Sequence, residues 1–133
     1  MRPPLKSLRR FLRDRTGATA VEFALILPIF LLTIFGIIEF GRILWIRNTM
    51  EYVAETAARY GGINTSADAA TIEAYALTQV IAVDASNWLF NIDPQASYVS
   101  VSISYTPTLL TTGQISIPTL TLTATARFPR VVI

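Results

Sequence analysis

Sixteen consecutive residues without a charge, FALILPIFLLTIFGII, stand between Glu22 and Glu39. Read from Ala18 to Ile38, the stretch makes roughly 31 Å of helix at about 1.5 Å per residue, against a hydrocarbon thickness of about 30 Å. A membrane-spanning helix is the expected structure. The competing reading is a helix buried in a globular core. It meets a problem of supply, because the rest of a 133-residue chain is too short to wrap a helix that is apolar all round.

Charge gives the run a direction. Residues 1–17 carry Arg2, Lys6, Arg9, Arg10, Arg13 and Arg15 against Asp14, a net of +5, whereas the remainder has five Arg and eight Asp or Glu, a net of −3. A basic segment directly before a span is retained on the cytoplasmic side, which puts everything after about Ile46 beyond the membrane. The expected location is a single pass through the inner membrane with the C-terminal part in the periplasm. The basic run also suits nucleic acid, but its place beside the span already accounts for it, and no nucleic-acid partner is expected. An ordinary secretory signal has the same order of parts, yet no small-x-small cleavage site follows the apolar run; the chain continues as EFGRILWIRN. Arg9-Arg10 has the form of a twin-arginine signal, again without the cleavage region.

The chain has no Cys and no His. Disulfides and thiolate sites are excluded, and the commonest metal ligand and general base are missing. No nucleophile with a base, phosphate-binding loop or metal-ligand cluster is found in the sequence, so the expectation is a non-enzyme with no cofactor and no metal.

Beyond the run, Ile46, Met50, Val53, Ala57 and Tyr60 recur at spacings of three and four, while Arg42, Arg47, Glu51, Glu55 and Arg59 take other faces. One continuous helix from about residue 19 to 60 is predicted, stopped by Gly61-Gly62 acting as a left-handed cap, with an i,i+4 pair between Glu55 and Arg59. Pro28 removes a backbone donor within the span and is expected to kink it. A second helix is predicted from Thr65 or Ser66, where Thr65-x-x-Asp68 fits a capping box, to Trp88 or Leu89. Its buried side would come from Ala70, Tyr75, Ala76, Leu77, Val80, Ile81 and Val83.

The last third changes period. In YVSVSISY, Val99, Val101, Ile103 and Tyr105 alternate with serines; in TLTLTATARF, Leu120, Leu122, Ala124, Ala126 and Phe128 alternate with threonines and Arg127. Both read as strands buried on one face. Between them lie turn signals at Pro107 and Gly113, a short candidate strand at 114–117, and a break at Pro118. The expected fold class is α+β: a long N-terminal transmembrane α-helix continuing outside the membrane, a second helix and a small antiparallel β-sheet. The expected divisions are a leader over 1–17, the long helix over 18–62 and an extracytoplasmic α+β domain over 63–133, with Met50, Val53 and Ala57 available to complete its core. The hydroxyl-rich sheet face reads as a soluble outer surface with high β propensity.

Glu22 needs a reason to stand at the edge of hydrocarbon, where an unpaired carboxylate is costly. If a peptidase cut between Gly17 and Ala18, the leader would be lost and Glu22 would become the fifth residue. The new α-amino group, cationic at neutral pH, would then be available to pair with the Glu22 of a neighbouring parallel helix. These residues carry a resemblance. Gly17, Ala18, Glu22 and Phe23 before a long apolar helix look like the processing site of the type IV pilin superfamily. GATAVEFALILPIFLLTIFGIIEFGR, with Ala57-Ala58-Arg59, resembles the TadE-like pseudopilins of tight-adherence (Flp) pilus systems over about residues 16–59. The resemblance implies a pilin-like fold and cleavage by a membrane prepilin peptidase. It also implies a role as minor pilin or pseudopilin, with the membrane, other pilin subunits and the pilus assembly machinery as partners. On that reading the protein becomes extracellular once built into a pilus, and Glu22 and Phe23 serve subunit assembly. The alternative is a single-span membrane-anchored extracytoplasmic binding module, which cleavage after Gly17 would distinguish.

Overall fold

The computed structural model describes residues 15–108 and 119–131. The basic residues before Arg15, the turn at Gly113, the candidate strand at 114–117 and the break at Pro118 lie outside the described residues. Five elements are described: helix α1 (Arg15–Ile63), helix α2 (Ala69–Thr78), and strands β1 (Leu89–Pro94), β2 (Tyr98–Tyr105) and β3 (Leu122–Pro129). The chain divides into two compact units, Met1–Ile38 and Glu39–Ile133.

In the first unit, α1 carries the apolar run. It is long and apolar enough to cross a membrane, and none of its most apolar window is buried inside the protein. That rules out a core helix, whose apolar face would be covered. The hydroxyl within the run is satisfied locally, since Thr33 Oγ1 donates to the Ile29 carbonyl at 2.9 Å, as a polar group in lipid must be.

The second unit has a core of its own. From α1 come Ile46, Met50, Val53, Ala54, Ala57 and Ala58; from α2, Ile72 and Ala76; from the sheet, Val99, Val101, Ile103, Leu122 and Ala124, with Trp88 just before β1. The predicted helical stripe is thus buried from Ile46 to Ala57, with Tyr60 partly buried, and the adjoining alanines at 54 and 58 widen it. Since six core residues precede position 63, a fragment over 63–133 lacks a large part of what it packs against.

The sheet is antiparallel in the order β1-β2-β3. Val101 on β2 sits between Ile92 and Ala126, and Ile103 between Phe90 and Ala124, so one face is apolar. The other carries Ser100, Ser102, Ser104, Thr123 and Thr125, with Ser102 and Thr125 hydroxyls 3.0 Å apart. This is the strand alternation expected from period two. Leu120 is exposed and precedes β3.

Three details of the region between α1 and β2 differ from the sequence reading. The second helix starts at Ala69 with Asp68 itself as N-cap, its carboxylate accepting from the Thr71 backbone N–H at 2.8 Å. It ends at Thr78, because Val80-Ile81-x-Val83 is a poor helical sequence and Ala82 turns left-handed with φ of 58°. Ala70, Leu77 and Ile81 are consequently exposed. The residues after Trp88 form β1, in which Phe90 and Ile92 face the core and Leu89 faces out.

Gly61 and Gly62 do not cap. They lie inside α1, and neither has positive φ. Their role is space: a Cβ on Gly61 would stand 2.6 Å from Ile72 Cδ1, and one on Gly62 would meet Phe128 Cδ1 and stand 2.8 Å from the Pro129 carbonyl oxygen. The helix end is closed instead by Asn64, whose backbone N–H and side-chain amide both donate to the Tyr60 carbonyl, at 2.9 and 3.0 Å.

Candidate assembly site

Gly17, Ala18, Glu22, Phe23 and Pro28 all lie on α1, exposed. Ala18 and Glu22 are four residues apart and so share a face one turn apart. An amino group created at Ala18 would therefore have its own chain's Glu22 within reach. Glu22 has no ion-pair partner among the described residues. A Cβ at Gly17 would meet nothing within 4 Å, so the small residue there is not required by packing within the chain. The Gly17–Ala18 bond is helical, and a peptidase that cuts it must first unwind it. Glycine would ease such a step, being about 1 kcal/mol poorer than alanine as a helix former.

The carboxylate at the other end of the run has a different setting. Glu39 makes a two-pronged pair with Arg42: Nη2 donates to Oε1 at 2.6 Å and Nε to Oε2 at 3.2 Å, with the Glu39 side chain only 14% exposed. Arg42 Nη2 also donates to the Thr108 carbonyl at 2.9 Å. The guanidinium thus neutralises the glutamate and fastens the start of the packed unit's helix to the segment after β2. A second pair, Arg47 Nε to Glu51 Oε1 at 3.1 Å, is exposed. These are the ion pairs on α1 among the described residues; the expected Glu55–Arg59 pair is not one of them.

Among the described residues no group of three or more His, Cys, Asp or Glu is placed to hold a metal ion. What the arrangement offers is an exposed apolar helix with one carboxylate near its start, followed by a self-contained α+β unit. This defines a class, that of α+β proteins carrying one long N-terminal apolar helix suited to single-pass membrane anchoring. Within it, residues 17–59 match the family model described as "TadE-like protein", the stretch on which the sequence resemblance rested. The matched stretch is about a third of the chain and is a likeness to that family. No curated protein and no solved structure matches the chain.

Proposed function

We propose that the chain is a minor pilin or pseudopilin of a Tad/Flp-type pilus, a structural or assembly-priming subunit rather than an enzyme. The observation that carries this reading is the TadE-like match over residues 17–59, falling on a helix whose apolar surface the protein leaves uncovered. A prepilin peptidase removes residues 1–17, and the helix from Ala18 then holds the subunit in the inner membrane with the α+β unit in the periplasm. From there α1 passes into a filament among other pilin subunits, and the apolar surface moves from lipid to neighbouring helices. Glu22 meets an Ala18 amino group, a pairing that sets axial register because opposite charges in a low-dielectric setting tolerate little displacement. Phe23 packs beside it, and Pro28 weakens the helix within the run.

The test is processing. Co-expressed with a prepilin peptidase and read by intact-mass spectrometry, the protein begins at Ala18, and Gly17→Val keeps it full length. A mature chain beginning at Met1 or after residue 38 overturns the proposal. An uncleaved chain would instead act as a membrane-anchored extracytoplasmic binding module.

A further inference from the structure

The packed unit begins at Glu39, and the first two turns of its helix expose apolar side chains that its core does not use: Phe40, Leu44 and Trp45, the last 58% exposed. Trp45 walls a groove of about 280 Å³ together with Asn48, Thr49, Tyr52, Gln79 and Ile81. Ile81, 67% exposed, stands beside the left-handed turn at Ala82. The Thr49 hydroxyl is already donated to the Trp45 carbonyl at 2.9 Å and the Gln79 amide to the Thr78 hydroxyl at 3.0 Å, so the groove offers apolar walls with the Asn48 amide and the Tyr52 hydroxyl as its further polar groups. Such a mixture fits the layer of glycerol and headgroups better than dry hydrocarbon or bulk water.

Position along the helix points the same way. Glu39 and Arg42, as charged groups, mark where hydrocarbon ends. Trp45 follows Glu39 by six residues, about 9 Å of rise, and the headgroup layer is about 5–8 Å thick on each side. Helical side chains lean toward the N-terminus, which here means back toward Glu39. Tyr52, about 20 Å of rise from Glu39, lies well beyond that layer.

From this we infer that Trp45 is an interfacial anchor, and that the mouth of its groove docks the packed unit on the headgroup surface of the membrane that α1 crosses. The inference rests on residues 18–38 being the span, so its test separates the two. The full chain is placed in phosphatidylcholine nanodiscs whose lipids are a mixture brominated near the top and near the end of the acyl chains. Single tryptophans are compared in a background carrying Trp45→Phe and Trp88→Phe: Trp45 restored, Phe30→Trp within the run, and Tyr52→Trp. Quenching is several-fold at positions 30 and 45 and slight at 52. Position 45 unquenched while 30 is quenched overturns the anchor and leaves the span standing; position 30 unquenched overturns both. Equal quenching at 45 and 52 also overturns the anchor, because the unit then lies on lipid through another surface. Should loss of the buried Trp88 unfold the unit, wild-type protein labelled with 5-fluorotryptophan gives one fluorine signal per tryptophan. A paramagnetic headgroup lipid must then broaden the Trp45 signal and spare that of Trp88, and equal widths overturn the anchor.

Discussion

Leu25 and Val101 are both aliphatic side chains in regular secondary structure, yet Leu25 is 70% exposed and Val101 is fully buried. The contrast extends to the units that hold them. Along the apolar run, Phe23, Ile29, Phe30, Leu32 and Phe35 all face outward, while beyond Glu39 comparable residues close on one another. The packed unit carries its own hydrophobic driving force. The run has its apolar surface to gain only from something outside the chain, lipid first and neighbouring helices afterwards on the proposed route. Substitutions in the two regions should therefore be read out by different experiments.

The sharpest break in that comparison comes from a buried charge. Val101→Asp places a carboxylate between Ile92 and Ala126 and is expected to cost more than about 3 kcal/mol, enough to unfold a marginal unit. Limited proteolysis of protein in nanodiscs should show the region after Glu39 becoming cleavable while the helix stays in the membrane. Leu25→Ala should leave the protease pattern unchanged.

A paired glycine experiment is gentler. Gly62→Ala forces Phe128 and the Pro129 carbonyl to move, and a loss of about 1–3 kcal/mol is expected from such overpacking. Gly36→Ala meets nothing within 4 Å and should gain helix stability of up to about 1 kcal/mol. Thermal melts of the two variants should move in opposite directions or not at all for Gly36, and a destabilised Gly36→Ala would reveal a packing role for the run within the single chain.

The smallest effect is at the α2 N-cap. Hydrogen bonds from the Thr71 side chain and then its backbone hold the Asp68 carboxyl below its ordinary value of 3.8. A lowered folded-state pKa means that the ionised carboxylate contributes stability in full above the unfolded value, and that the contribution is lost as pH falls through the folded one. Wild type should therefore lose part of its melting temperature on acidification below about pH 4 that Asp68→Asn does not lose. Parallel pH profiles for the two proteins would show that the cap carries no charge-dependent stability.

Much of this architecture could be read directly from the residues because periodicity was strong where packing was simple. The alternation in YVSVSISY gave β2 at its observed limits, and the stripe from Ile46 to Ala57 gave the packed face of α1. The glycines at 61 and 62 misled because glycine serves both turns and close approaches, and only the position of Phe128 and Ile72 decides between them. β1 was missed because Phe90 and Ile92 supply only two inward positions, too few to outweigh an apparent continuation of the helix. An available signal was the turn before it, where Asp84 Oδ1 accepts from the Ser86 N–H at 2.9 Å. At the candidate site, Gly17, Ala18, Glu22 and Phe23 lie on one exposed helix that begins at Arg15, ahead of the start near residue 19 read from the sequence. The chemistry proposed for them lies in contacts with other molecules, which no fold of a single chain contains.

That chemistry concentrates in Glu22. Glu39 has Arg42 beside it, whereas the proposed partner of Glu22 is an amino group supplied by assembly, so the decisive comparison is wild type against Glu22→Ala. Both proteins are followed by immunoblot through the membrane fraction, the processed form and sheared filaments with their assembly machinery. The account predicts equal insertion and equal cleavage after Gly17, with the variant lost from the filament fraction because its neighbour's ammonium has no counter-charge. Equal recovery of Glu22→Ala and wild type from sheared filaments would contradict it, leaving Glu22 a carboxylate that simply reaches the headgroups at the edge of the span.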